Sequence, residues 1–168
     1  MFISRVFAVS GFSGTGKTTL VENIVKELAE RGYSVGTVKS SKEDIFPPEG
    51  TDTYRHLKAS AHPVVLLGPS STIIRYTQRL PSAELLSRID ADIVVFEGFK
   101  SASVPRVLCV GDHMIEDSSI PNRTHAIVSW EPTKIEESIS IPVLQSHEID
   151  EIAAIILDHA VDSSEVDF

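Results

Sequence analysis

Cysteine is nearly absent from this 168-residue chain. Cys109 stands alone, which excludes an intrachain disulfide framework and any Cys-x-x-Cys metal site. Long apolar runs are missing too: no uninterrupted stretch approaches the roughly 18–20 residues that span a bilayer, so no membrane partner is expected. Positive charge is scarce, with a net charge of −9. After residue 110 only Arg123 and Lys134 face 13 acidic residues, while the first 110 residues are close to balanced. This excludes broad electrostatic binding to nucleic acid and leaves a solvated acidic surface, or a docking face for a basic partner, in the last third. The histidines at 56, 62, 113, 125, 147 and 159 form no H-x-x-x-H pair. The nucleophile string G-x-S-x-G is absent as well, because in Gly11-Phe12-Ser13-Gly14 the second glycine comes one place too early. No internal repeat and no low-complexity linker interrupts the chain.

What remains is an ordinary globular composition, 42% hydrophobic and 23% charged, in a chain long enough for one core without staples. The opening MFISRVFAVSG holds an Arg inside its apolar stretch and no small-residue cleavage pattern follows it. It reads as a first strand rather than a signal peptide, and the protein as cytoplasmic. Residues 2–10 form that buried strand. Leu20, Ile24, Val25 and Leu28 then recur at helical spacing up to Arg31-Gly32, a basic residue followed by glycine that ends a helix. Residues 33–38 make a second strand, completing a βαβ unit. Residues 40–50 form a polar loop containing Pro47-Pro48, and Thr51 caps a short helix to about residue 60. Residues 63–67 and 71–76 pair as a hairpin about Gly68-Pro69-Ser70.

Further strands are expected at 92–96, 106–110 and 126–130, and helices at 82–88, 134–138 and 148–160. An acidic tail, 162–168, is expected to fray. Residues 11–18, between the first strand and its helix, spell G-x-x-x-x-G-K-[ST], so the expected architecture is an α/β fold of the P-loop NTPase type: a single domain over residues 1–168, with a mostly parallel sheet flanked by helices and one antiparallel hairpin.

Gly11-Phe12-Ser13-Gly14-Thr15-Gly16-Lys17-Thr18 matches G-x-x-x-x-G-K-[ST] at every fixed position, between an apolar strand and an amphipathic helix. A β-phosphate must sit inside a ring of backbone N–H donors, so the chain has to curl without Cβ obstruction. Gly11, Ser13, Gly14, Thr15, Gly16, Lys17, Thr18 and Thr19 are therefore the nucleotide-binding set. Lys17 serves the β/γ oxygens and the Thr18 hydroxyl a Mg²⁺ ion. The dinucleotide fingerprint fails, because Thr19 stands where a third glycine belongs.

A phosphate loop needs an acidic partner at the end of a neighbouring strand. Glu97, delivered by the apolar run 93–96 and followed by Gly98, is that residue, as metal ligand and as the group that positions water. Asp92 begins the same strand at the opposite edge and is read as structural. Asp44 and Asp52 follow the second strand, where a metal or water ligand is often placed. Asp52 joins Thr18 and Glu97 in the metal set, and Lys39 is a further phosphate candidate. Arg55 and His56 read as a surface pair. The closest string to the guanine-reading [NT]-K-x-D is Thr133-Lys134-Ile135-Glu136, with Glu in the last place. Residue chemistry thus gives a Mg-NTP site and leaves the base open.

With the loop and its helix, the strings Arg31-Gly32-Tyr33-Ser34-Val35-Gly36-Thr37-Val38-Lys39, Thr51-Asp52-Thr53-Tyr54-Arg55-His56 and Glu97-Gly98-Phe99-Lys100 give the chain a resemblance to the MobB family, the molybdopterin-guanine dinucleotide biosynthesis proteins B. The resemblance covers about residues 3–110. It implies a GTP-binding, usually dimeric protein with slow hydrolysis, which assists the molybdopterin guanylyltransferase. Two departures stand out: Ser40-Ser41-Lys42-Glu43-Asp44 replaces a histidine-rich stretch, and Thr51 stands where a lysine often precedes the aspartate. A nucleotide or small-molecule kinase would carry an Arg-bearing lid, and none is seen; Arg75, Arg79 and Arg88 are spread along a strand and helix. A metallochaperone would show a Cys/His cluster, also missing.

Overall fold

Val6, Phe7, Ala8 and Val9 are all fully buried, because the strand that carries them has neighbours on both sides and layers on both faces. This computed structural model describes residues 3–168, so Phe2, expected to open the strand, lies outside the described residues. Strand β1 (Arg5–Gly11) runs parallel to β5 (Ile93–Glu97) on one side and β6 (Arg106–Gly111) on the other. With β2 (Val35–Lys39), β7 (Thr124–Ser129) and β8 (Val143–Leu144) the sheet order is β2-β5-β1-β6-β7-β8. A seventh strand, β9 (Val161–Asp162), pairs antiparallel with the start of β1.

The amphipathic helices α1 (Lys17–Glu30) and α4 (Ile149–His159) cover one face, burying Leu20, Ile24, Leu28, Ile152 and Ile156 against Phe7, Val95 and Val107. The other face holds Val6, Ala8, Val94 and Phe96 under Leu86 of α3 (Ser82–Leu86), Phe99 and Val166. Helix α1 ends as its sequence signal predicts. Gly32 takes φ 93°, its N–H bonds to Ala29 O, and Tyr33 N–H bonds to Leu28 O, the paired reverse bonds of a glycine-terminated helix.

The chain resolves into two compact units, one formed by residues up to Ser40 together with Ser82–Phe168, the other by Ser41–Pro81. In the second unit Thr51 caps α2 (Asp52–Lys58), its hydroxyl accepting from Tyr54 N–H at 3.3 Å. The hairpin β3 (Val64–Leu67) and β4 (Thr72–Arg75) closes through Gly68 N–H to Ser71 O.

Two expectations are corrected. Residues 134–138 are not a helix: a single 3-10 turn covers Pro132–Lys134, after which Ile135 is drawn beside Ile115 as an extended bridge and buried. The acidic tail is not frayed. Val161 pairs with Val6, Val166 is buried, and the Phe168 ring meets Phe96 and Phe99 at centroid distances of 5.2 and 4.8 Å. Asp167 accepts from the Ser82 hydroxyl at 3.0 Å.

Candidate functional site

The sheet order switches direction about β1, with β5 and β2 on one side and β6, β7 and β8 on the other, and it is beyond the carboxyl edge at such a point that open α/β sheets take ligands. The glycine-rich turn lies there, between the end of β1 and α1. Gly11 sits at φ 137°, so close to β6 that a Cβ would fall 1.9 Å from Cys109 O; only glycine fits. Gly16, at φ 81°, is the residue before α1 and offers no side-chain cap, and no acidic residue occupies the first turn. The first N–H groups of a four-turn helix, Thr18 and Thr19 among them, therefore present their partial positive charge without a side-chain acceptor. Thr15 tightens the turn by donating its hydroxyl to Phe12 O at 3.0 Å, and Lys17 Nζ donates to the same carbonyl. Ser13 and Gly14, at the turn's outer edge, are exposed.

Glu97 ends β5 level with Val9 of β1 and is only 8% exposed. Its Oε1 accepts from the Thr18 hydroxyl at 2.6 Å and lies 3.0 Å from Lys39 Nζ, which itself stands 3.4 Å from Thr18 Oγ1. Three residues 79 and 21 positions apart thus converge on one point beside the loop. An uncharged oxygen and a carboxylate there form the hard oxygen donor pair that suits magnesium. Among the described residues no three His, Cys, Asp or Glu side chains converge to make a transition-metal site.

The other sequence candidates are described on their own elements. Asp92 accepts from Ser34 N–H at 2.8 Å and its hydroxyl at 2.7 Å; those two bonds hold its carboxyl below the usual value and lock the start of β5 to the turn before β2. Asp52 opens α2 in the second unit, 87% exposed in its side chain and 3.8 Å from Arg55. Asp44 is an exposed loop residue of the same unit. The Glu136 carboxylate accepts from Asp117 N–H at 3.0 Å, which lowers its pKa and fastens the segment that carries Asp117. Burial pushes the Cys109 thiol up to about 12, which leaves it chemically inert.

Around Phe12 of the loop and Lys100 of the Glu97–Lys100 string stand Arg106, His113 and Trp130, which carry no motif in the sequence. The Phe12 ring stacks on His113 at 4.5 Å, and Lys100 Nζ lies 5.6 Å from the centre of the same ring. The fully buried guanidinium of Arg106 bonds Lys100 O at 3.1 Å, Ser10 Oγ at 3.5 Å and Ala102 O. Burial, and secondarily Arg123, lower its pKa. The Trp130 indole stands beside Gly16. The one available signal was position: Lys100, Arg106, His113 and Trp130 all flank strand ends.

A family model described as molybdopterin guanine dinucleotide synthesis protein B matches residues 6–130. A putative molybdopterin-guanine dinucleotide biosynthesis adapter protein of Methanocaldococcus jannaschii is 35% identical over 116 residues, 64% of this chain and 48% of that protein. The Haemophilus influenzae adapter protein is 32% identical over 61% of each chain, and that of Escherichia coli 28% identical over 80% of this chain and 83% of its own. The chain thus spans about half of the first relative and three fifths of the second. In fold it is similar to the crystal structure of Bacillus subtilis MobB, with a TM-score of 0.74 at 23% identity over 90% of this chain and 97% of that one. The Bacillus stearothermophilus MobB homolog gives 0.67 at 24% identity, over 91% and 95%. With a family match across three quarters of its length and the phosphate loop, Glu97 and Lys39 gathered at one sheet edge, the chain belongs to the MobB family.

Proposed function

We propose that this protein binds Mg-GTP in the crevice beyond β1 and acts in the cytoplasm as an adapter in molybdopterin guanine dinucleotide biosynthesis. In this reading it hydrolyses GTP slowly and assists the guanylyltransferase that joins GMP to molybdopterin. The observation that carries the phosphate reading is the 2.6 Å contact between Thr18 and Glu97 beneath an uncapped helix N-terminus. The names of the relatives support the pathway.

The backbone N–H groups of residues 13–19 surround the β-phosphate, and the Lys17 ammonium exchanges the Phe12 carbonyl for phosphate oxygens. Thr18 and Glu97 are the residues that would hold Mg²⁺, which would supply charge to offset that of the β and γ oxygens. Both Thr18 and Lys39 engage Oε1 of Glu97, so Oε2 is the oxygen left to orient a water and take its proton. Lys39 adds a cation on the side of the loop nearest β2.

A homodimer is part of the proposal. The hairpin of the second unit exposes Val65, Leu66, Leu67, Ile73 and Ile74, each more than half open to solvent, with Ile45 and Phe46 in the preceding loop. A two-stranded ribbon that is apolar on both faces is not stable bare in water, and a second copy offers the matching surface.

The test is a calorimetric competition of GTP, ATP and CTP with Mg²⁺ on the native protein and on Lys17→Ala. GTP preferred by the native protein, and no tight binding by the variant with its fold retained, are expected. Unchanged GTP affinity in Lys17→Ala refutes the site; indifference to the base refutes guanine selectivity.

A further inference from the structure

The phosphate loop has two flanks, and the sheet order gives them different chemistry. Toward β5 and β2 lie Glu97 and Lys39, charged groups occupied with Thr18. Toward β6 and β7 lies Trp130, the chain's single tryptophan, in the residue that follows β7. Trp130 as a residue is 53% exposed, yet its backbone is fixed: its N–H bonds Gly111 O at 2.8 Å. On either side, Ser129 Oγ bonds Gly111 O at 3.2 Å and Glu131 N–H bonds Ser129 Oγ at 3.1 Å. A Cβ placed on Gly16 would stand 3.9 Å from indole Cζ2 and 4.0 Å from Nε1, so the ring borders the glycine that opens α1.

We propose that Trp130 is the stacking wall for the nucleobase of the nucleotide held by the phosphate loop. This rests on the phosphate-site reading and goes further by saying which way the nucleoside leaves the loop. With Glu97, Lys39 and Thr18 gathered on one flank, the ribose and base pass over Gly16 to the other, where an apolar ring is held at the sheet edge by a braced backbone. Glycine at 16 leaves that passage free of a side chain. Stacking on an indole suits any base and is strongest for a purine, whose two rings overlap more of it; it sets affinity rather than reading the hydrogen-bonding edge.

A lone tryptophan makes the test direct. Indole fluorescence of the native protein with Mg²⁺ is followed during titration with GTP, ATP, CTP and inorganic tripolyphosphate, with calorimetry in parallel. Quenching by the purine nucleotides, weaker quenching by CTP and none by tripolyphosphate is expected. Trp130→Ala should lose about ten-fold in nucleotide affinity with tripolyphosphate affinity unchanged, and Trp130→Phe should restore most of it. Calorimetric nucleotide binding with constant fluorescence, or equal loss of nucleotide and tripolyphosphate affinity in Trp130→Ala, overturns this proposal and leaves the phosphate site standing. Failure of nucleotide and tripolyphosphate alike to bind the native protein overturns both.

Discussion

Replacing Glu97 by Gln separates what the carboxylate does for the fold from what it does for chemistry. The amide keeps the shape and can still accept from the Thr18 hydroxyl, so the 2.6 Å bond weakens from charge-assisted to neutral, a loss of about 1 kcal/mol. The Lys39 ion pair is lost too, but that ammonium is 61% exposed and solvent already screens it, so it adds little. Relief from holding a charged group at 8% exposure acts in the opposite direction. The net change is within about 1 kcal/mol, or roughly 2–4 °C in Tm for a chain of this length. Turnover should respond differently. Without a carboxylate to orient water and take its proton, the hydrolysis rate should fall about a hundred-fold or more, while GTP affinity, carried mainly by loop amides and Lys17, falls less than about ten-fold. Single-turnover hydrolysis, calorimetric binding and a thermal melt on the same preparation give the three numbers. Equal loss of binding and turnover refutes the catalytic role, and a Tm drop above 10 °C shows that Glu97 is a structural group.

Gly11→Ala puts a Cβ 1.9 Å from Cys109 O at φ 137°, so the β1–β6 pairing must open; at several kcal/mol this lowers Tm by about 10 °C, and an unchanged melt contradicts the packing described. His125 stacks on His159 at 3.9 Å, and burial first, then the charges of His159 and Arg123, lower its pKa below the ordinary 6.5. The unfolded chain therefore takes up this proton first as the pH falls. The His125 contribution to stability is complete above about 6.5 and is lost below it, so His125→Gln should flatten the acid limb of Tm against pH, and an unaltered limb refutes the assignment. Leu67→Lys, at a position 78% exposed in the hairpin, should convert a dimer to a monomer in light scattering with no change in Tm extrapolated to low concentration; a dimer that persists removes the hairpin from the interface.

The parts legible in the sequence were those fixed by neighbours in the chain. The run Val6–Val9 announces a central strand because burial on both faces removes alternation, and Arg31-Gly32 announces the end of α1 because a left-handed residue is needed there. Glu97 could be read as an acid at the tip of an apolar strand, and the structure sets it on Thr18. Residues whose conformation is decided from afar were not legible. Ile135 looked helical by local composition, yet Ile115, 20 positions back, claims it as a bridge. In 161–168 the acidic side chains mask an apolar spacing, Val161, Val166 and Phe168, that only the hydrophobic face beneath β1 makes meaningful. Trp130 was expected as the last residue of its strand, and by ending one place early the strand releases the indole toward Gly16.

The string Glu97-Gly98-Phe99-Lys100 shows how tightly one turn can be tied to the glycine-rich loop. Glu97 holds Thr18 from the strand end. Gly98, at φ 96°, brings the backbone so near Ser40 that a Cβ would lie 3.3 Å from its Cβ, keeping the ends of β2 and β5 in register. Phe99 accepts a positive φ of 45°, a costly conformation for a bulky residue, and is held there by burial against Phe96 and Phe168. Lys100 then reaches the Phe12 ring, and Arg106 fixes the turn from inside through the carbonyls of Lys100 and Ala102. A buried guanidinium without a carboxylate is costly; among the described residues none pairs with Arg106, and backbone oxygens and the Ser10 hydroxyl offset part of that cost while Nε stays unbonded. From the start of β6, Arg106 thus ties the turn that follows β5 to a different strand, a link made between two strands rather than within one.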